Sequence, residues 1–277
     1  MSGFPHKKCS YEKLMTIDSI PPHQWEDLTK IVCEAMIAET DGFTTPISKV
    51  IEHDYGILEG TGSYIQIEGK RYLFTNEHVA ACLKTHSIAY QFCGCADVHL
   101  TTNPFPVIEY PQDVAICEID DSIWNNAPHK GKAILAERFA AKHSPTDGEF
   151  LFLVGYAADR SKFVFQELHS ERLPYLTQSR EMPSGWGIPD VHFALHYKPD
   201  SAIATNPRSL GLPCPPGMSG SLVWNTRYVE AQQAGRMWSP KDAQVTGIVW
   251  GWPSSDACLL ATKVEYFDLP LLLAGSK

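Results

Sequence analysis

Ser219 lies in Pro216-Gly217-Met218-Ser219-Gly220-Ser221, a glycine-flanked turn able to expose one hydroxyl. A serine hydroxyl is a weak nucleophile near neutral pH. It needs a base within hydrogen-bond reach and a third group that holds the base in the right tautomer. Attack on a carbonyl also builds charge on oxygen, and backbone N–H groups aimed at that oxygen stabilise it. Gly217 adopts positive φ at no steric cost, so its N–H is free to turn inward, and Gly220 permits close approach of a ligand. His78, in Thr75-Asn76-Glu77-His78-Val79-Ala80, has the chemistry of the base. Asp113 opens the apolar run Val114-Ala115-Ile116-Cys117, and a carboxylate there is costly to desolvate unless paired, with His78 its natural partner. Singly, each has a plainer reading: a loop turn, a core histidine, a strand-capping aspartate. Together they supply nucleophile, base and orienting acid.

The flanking pattern sets these residues on β elements. Ser63–Ile67 and part of Arg71–Thr75 alternate polar and apolar around Glu68-Gly69-Lys70, which predicts a hairpin. A short helical turn over Glu77–Cys82 then carries His78, and Asp113 sits at the mouth of a buried strand. Ahead of the hairpin, Trp25, Leu28, Ile31, Val32, Ala35 and Met36 recur at three-to-four spacing, so Pro22–Thr40 reads as an amphipathic helix. Its apolar face has two uses: packing on the body of the protein or on a second subunit, or docking a regulatory partner. Residues 170–190 and 225–244 read as long loops, placed to gate or recognise ligands.

The segments Gly60-Thr61-Gly62-Ser63, Thr75-Asn76-Glu77-His78-Val79, Asp113-Val114-Ala115-Ile116 and Pro216-Gly217-Met218-Ser219-Gly220-Ser221 resemble, in type and order, the trypsin-like serine proteases. The flavour is that of the bacterial Deg-like and glutamyl-endopeptidase branches. Thr246–Gly251 resembles that family's substrate-channel strand, and Ala261-Thr262-Lys263-Val264 the strand before its C-terminal helix. The resemblance covers roughly residues 55–270. It implies an all-β fold of two six-stranded antiparallel β-barrels, with the site in the cleft between them. His78 would be the general base, Asp113 its orienter and Ser219 the nucleophile of a serine endopeptidase working through an acyl-enzyme. The N–H groups of Gly217 and Ser219 would form the oxyanion hole. Pro213, Cys214, Val249, Trp250 and Leu259 would line a shallow pocket for a small or medium apolar side chain. The domain expectation is an extension over 1–54, a first barrel over 55–124, a crossover linker over 125–132 and a second barrel over 133–277, closed by a short helix interrupted at Pro270. Met218 stands where digestive members carry an aspartate that pairs with a new N-terminus. Activation by N-terminal insertion is therefore not expected, and restraint by a ligand or partner would take its place.

Composition narrows the alternatives. The 277 residues carry 44% hydrophobic and 20% charged side chains, ordinary for a globular protein. A net charge of −9 and no basic patch with interleaved aromatics argue against nucleic acid or an anionic membrane as partner. The first 20 residues lack an apolar core, so no secretory signal is expected, and the eight irregularly spaced cysteines read as free thiols of a cytoplasmic protein. Neither Cys93-Gly94-Cys95 with Cys82, His86 and His99, nor His192 with His196, has convincing metal-ligand spacing, so no metal or cofactor is expected. The partner left is a protein or peptide substrate, with self-association or a regulator through the N-terminal helix. Two other functions remain: a silent binding module that keeps the fold, and an esterase using the same residues, whose α/β-hydrolase chain order is not seen.

Overall fold

In the computed structural model the described residues are 22–52, 55–95, 97–101, 103–164, 167–202 and 211–275. Eight strands form a first sheet: β1 (Thr44–Glu52), β2 (Tyr55–Ile67), β3 (Lys70–Thr75), β4 (Ser87–Gln91), β5 (Val98–Leu100), β6 (Val107–Ile108), β7 (Val114–Glu118) and β8 (Ile134–Leu135). Seven form a second: β9 (Leu151–Val164), β10 (Glu167–Thr177), β11 (Ser179–Arg180), β12 (His192–His196), β13 (Leu222–Asn225), β14 (Gln244–Gly251) and β15 (Cys258–Lys263). The helices are α1 (Pro22–Glu39), α2 (Glu77–Ala80), α3 (Asp121–Asn126), α4 (Tyr228–Gln233) and α5 (Leu269–Gly275). Among the described strands pairing is antiparallel, apart from a two-residue parallel contact of β8 with β2, and an isolated parallel bridge joins Phe139 to Val245.

The strand counts depart from two sixes for a physical reason. The first sheet orders as β5-β4-β1-β2-β3-β7-β6 and the second as β10-β9-β13-β14-β15-β12-β11. Long strands make the body of each, and pairings of two or three residues (β5, β6, β8, β11) are added at the margins. Among the described residues the outermost strands of neither sheet pair with each other. β1 also starts the first sheet inside the stretch read as an extension. Its Ile47 and Ser48 are fully buried, and it pairs with both β2 and β4.

Strand alternation explains the three larger cores of the described residues, because successive residues face opposite sides. On β3, Leu73 points into a core with Ile47, Tyr64, Ile88 and Phe92, while Tyr72 and Phe74 point the other way. On β9, Leu151 and Leu153 enter a core with Phe193, Leu195, Val249 and Leu259, while Phe152 and Val154 face outward. The two outward faces meet, so Phe74, Ile116, Phe152, Trp224 and Ile248 share one cluster between the sheets. α1 caps that cluster with Val32, Cys33 and Met36, and Trp25 packs on Phe150 at 5.1 Å between ring centres. Ile31, by contrast, turns to solvent at 62% exposure. The helix thus packs on the body of its own chain. Its end is tied to the second sheet's side by Arg138 donating to Glu39 at 2.8 Å.

The hairpin stands as expected: Ser63 faces Phe74 and Ile67 faces Lys70 across Glu68-Gly69, both at positive φ, as a two-residue primed turn requires. Two loop readings need correction. Much of 170–190 is strand, since β10 runs to Thr177 against β9. In the 225–244 segment α4 forms, its N-terminus held by buried Glu149, which accepts from the N–H groups of Val229 and Glu230 at 3.0 and 3.1 Å. Pro270 does not interrupt α5. It is the second residue of that helix, where its missing N–H would have had no partner. No described helix is long and apolar enough to cross a membrane.

The two faces of α1 give a paired test. Met36→Ala should cost about 2–4 kcal/mol in urea denaturation, the range for emptying a core site, whereas Ile31→Ala should stay within about 0.5 kcal/mol. Equal effects would show that the helix does not pack this way.

Candidate active site

His78 and Asp113 meet at the end of the first sheet. β3 stops at Thr75, and α2 begins two residues later with its N-terminal carboxylate Glu77 and then His78. Asn76 occupies the cap position but makes no cap bond. Its buried amide instead donates to the backbone oxygen of Asp113 at 2.7 Å. The Asp113 carboxylate spans His78, accepting from its backbone N–H at 3.0 Å and standing 2.6 Å from ring Nδ1. An ionised carboxylate only accepts, so Nδ1 carries a proton, and in the neutral ring Nε2 then has the lone pair. The His78 side chain is 46% exposed and that of Asp113 only 8%, so the imidazole is open to solvent and the carboxylate is covered. Asp113 has φ of 51°, the left-handed region. Such a conformation costs on the order of 1–3 kcal/mol. Each hydrogen bond to a charged group contributes about 1.5–3 kcal/mol, so the two from His78 outweigh it.

Ser219 arrives from the second sheet on a turn whose peptides are fixed one by one. Met218 N–H donates to Pro215 oxygen at 2.8 Å, with Pro216 second and Gly217, at φ of 95°, third: a type II turn. The Pro216 oxygen accepts from Ala158 N–H at 2.8 Å, and the Met218 oxygen from Ser221 N–H at 3.0 Å. In a trans peptide N–H and C=O point opposite ways. The Gly217 and Ser219 N–H groups are therefore aimed away from those contacts, and neither has an acceptor among the described residues. Side chains and neighbours hold the rest. Thr61 Oγ1 donates to the Gly217 oxygen and accepts from Tyr156 N–H, both at 2.9 Å, and Thr61 N–H donates to the Ser219 oxygen at 2.7 Å.

Glycines let the two halves touch. A Cβ on Gly220, at φ of 90°, would stand 1.8 Å from the Thr61 oxygen and 2.5 Å from Thr75 Oγ1. One on Gly60 would stand 2.6 Å from Val79, next to His78, and 3.0 Å from the Ser219 oxygen. The turn bearing Ser219 is thus pressed on β2 and β3 beside the histidine. The Ser219 hydroxyl itself lies against the Trp250 oxygen at 3.5 Å, and no hydrogen bond joins it to His78 among the described residues.

The residues read as a side-chain pocket do not form one surface. Val249 and Leu259 are buried with Met218 in the second sheet's core, Pro213 is buried and Cys214 exposed. Trp250 is the extra residue of a β-bulge, between the pairs Val249–Ala261 and Gly251–Leu260, and it packs toward Cys258 and Leu260. The bulge turns its side chain out of line with its neighbours. The seven described cysteines are free, and no described group of three or more His, Cys, Asp or Glu side chains is placed to hold a metal. His192 is on β12 and fully buried. Sequence reasoning missed the holding role of Thr61, Asn76 and Thr262, whose partners lie 37 or more residues away.

No protein-family model matches the chain, and no curated protein matches it by sequence. Solved structures do. The inactive form of Rv3671c from M. tuberculosis H37Rv, with serine changed to alanine, is 18% identical with a TM-score of 0.50, covering 88% of this chain and 91% of that one. The active form of the Rv3671c protease is 17% identical at 0.48, covering 99% and 92%. Tobacco etch virus protease complexed with product is 12% identical at 0.45, covering 85% and 79%. The likeness, which is one of fold, matches this chain over most of its length to chymotrypsin-fold serine proteases.

The junction is tested by two alanine variants at positive φ. Gly235→Ala, with open space for a Cβ, should cost about 1 kcal/mol from backbone strain. Gly220→Ala should cost at least about 3 kcal/mol or prevent folding. Equal losses in denaturant melts would mean that the two sheets do not touch there.

Proposed function

We propose that this chain is a serine endopeptidase in which Ser219 attacks a peptide carbonyl, His78 takes its proton and Asp113 holds the imidazole. The observation that carries the reading is the pairing of an oriented imidazole, Nδ1 on Asp113, with a neighbouring serine turn that presents two unclaimed N–H groups. In the reaction, the Ser219 hydroxyl leaves the Trp250 oxygen and gives its proton to Nε2 of His78. The Gly217 and Ser219 N–H groups then receive the oxyanion. Hydroxyls rotate at small cost, and catalytic hydrogen bonds in unliganded sites are often unmade. His78 returns the proton to the leaving amine, and water repeats the cycle on the acyl-enzyme. Each sheet enclosing its own core supports a double-barrel architecture, with the site at the seam.

A second reading, a binding module without turnover, draws on the Ser219 hydroxyl lying on Trp250 and not on His78. Fluorophosphonate labelling with peptide mapping separates the two. The expected result is one adduct, on Ser219, absent from Ser219→Ala and His78→Ala and formed roughly 10³–10⁴-fold more slowly in Asp113→Asn. A folded wild type that takes no label, or takes it elsewhere, overturns the protease reading.

A further inference from the structure

The segment that delivers Asp113 belongs by chain to the first sheet, yet the second sheet holds it. Two consecutive carbonyls are gripped: His192 Nε2 stands 2.7 Å from the Pro111 oxygen, and Thr262 Oγ1 donates to the Gln112 oxygen at 2.9 Å. His192 and Thr262 are directly paired across β12 and β15, so the two donors stand side by side. The tautomer is fixed by geometry. Nδ1 of His192 accepts from the Ile188 N–H at 2.8 Å, which requires a lone pair there and puts the ring proton on Nε2, facing Pro111. The ring is fully buried, 4.8 Å from Trp250 and 5.8 Å from Tyr110 between centres. Burial lowers its pKa, against the opposing pull of the Pro111 oxygen and Asp113 and with the help of Lys263, which keeps it in the neutral form this arrangement needs. Trp250 is the same bulged residue whose oxygen receives the Ser219 hydroxyl.

We propose that His192, seconded by Thr262, is a positioning residue that latches the Tyr110–Asp113 segment to the second sheet and so fixes Asp113 on His78. Asp113 is one residue beyond the gripped carbonyls and in a left-handed conformation. A strained conformation persists where several contacts over-determine it, and the latch adds to the hydrogen bonds from His78 and Asn76 that hold Asp113. The latch itself concerns the Asp113–His78 pair; only its effect on Ser219 rests on the protease reading.

Three variants test it. His192→Phe keeps ring volume and aromatic packing but removes both hydrogen bonds. His192→Gln keeps an amide able to donate to Pro111. Thr262→Val removes one hydroxyl with little change of shape. The first readout is the His78 Nδ1–H proton resonance, which a hydrogen bond to a carboxylate moves downfield and protects from exchange. His192→Phe is expected to speed its exchange at least about tenfold and to slow fluorophosphonate labelling of Ser219 up to about 100-fold. Thr262→Val should act in the same direction and His192→Gln should recover most of the loss. An unchanged resonance and labelling rate in both His192→Phe and Thr262→Val would overturn the latch. Should His192→Phe fail to fold, Thr262→Val and His192→Gln decide by the same readouts. A wild type that never labels would overturn the protease reading alone, because the His78 resonance still reports on the latch.

Discussion

At the seam between the two sheets, the backbone of Gly220 lies so close to Thr61 and Thr75 that no other residue fits. That approach organises the chemistry on both sides. Thr61 spends its N–H on the Ser219 oxygen and its hydroxyl on the Gly217 oxygen, and Thr75 donates to the Thr61 oxygen. Those bonds fix the peptides on either side, and with the Pro216 and Met218 oxygens held by the N–H groups of Ala158 and Ser221, the N–H groups of Gly217 and Ser219 are left outward. Thr75 ends the strand that leads into His78, so a displacement of one half of the site is felt in the other.

The seam holds because both faces of its strands are buried. β3 and β9 feed one set of side chains to their own sheet's core and the other set to a shared cluster under α1. Burying a large apolar side chain contributes about 1.5–3 kcal/mol, and the shared cluster contains Phe74, Phe152, Trp224 and Phe267 among others. That outweighs the local strain at Asp113, a non-glycine residue at positive φ. A site whose groups sit on packed strands and fixed peptides keeps its geometry without help from the ligand.

Legibility in the sequence followed the range of the interactions. The Glu68-Gly69 hairpin, the α1 helix and the placement of His78 just past a strand were readable because periodicity and turn chemistry act over a few residues. His78, Asp113 and Ser219 could be grouped because their local contexts matched one chemistry, although the chain separates them widely. What escaped was decided at long range. Alternation shows that β1 and β10 have two faces but not what covers them, so one was read as extension and the other as loop. Val249 and Trp250 are neighbours in sequence, and only the bulge reveals that they serve different surfaces. The hold of His192 on Pro111 spans 81 residues and leaves no local mark.

For the proposed chemistry, Ser219 and the two outward N–H groups must form one reaction centre with His78. A crystal structure of the protein after reaction with a small phosphonate tests this most directly. The expected result is phosphorus bonded to Ser219 Oγ, with one phosphonyl oxygen about 2.7–3.1 Å from both the Gly217 and Ser219 nitrogens and His78 beside the adduct on its Asp113 support. An adduct whose oxygen meets neither nitrogen, or one bonded to another residue, would contradict it.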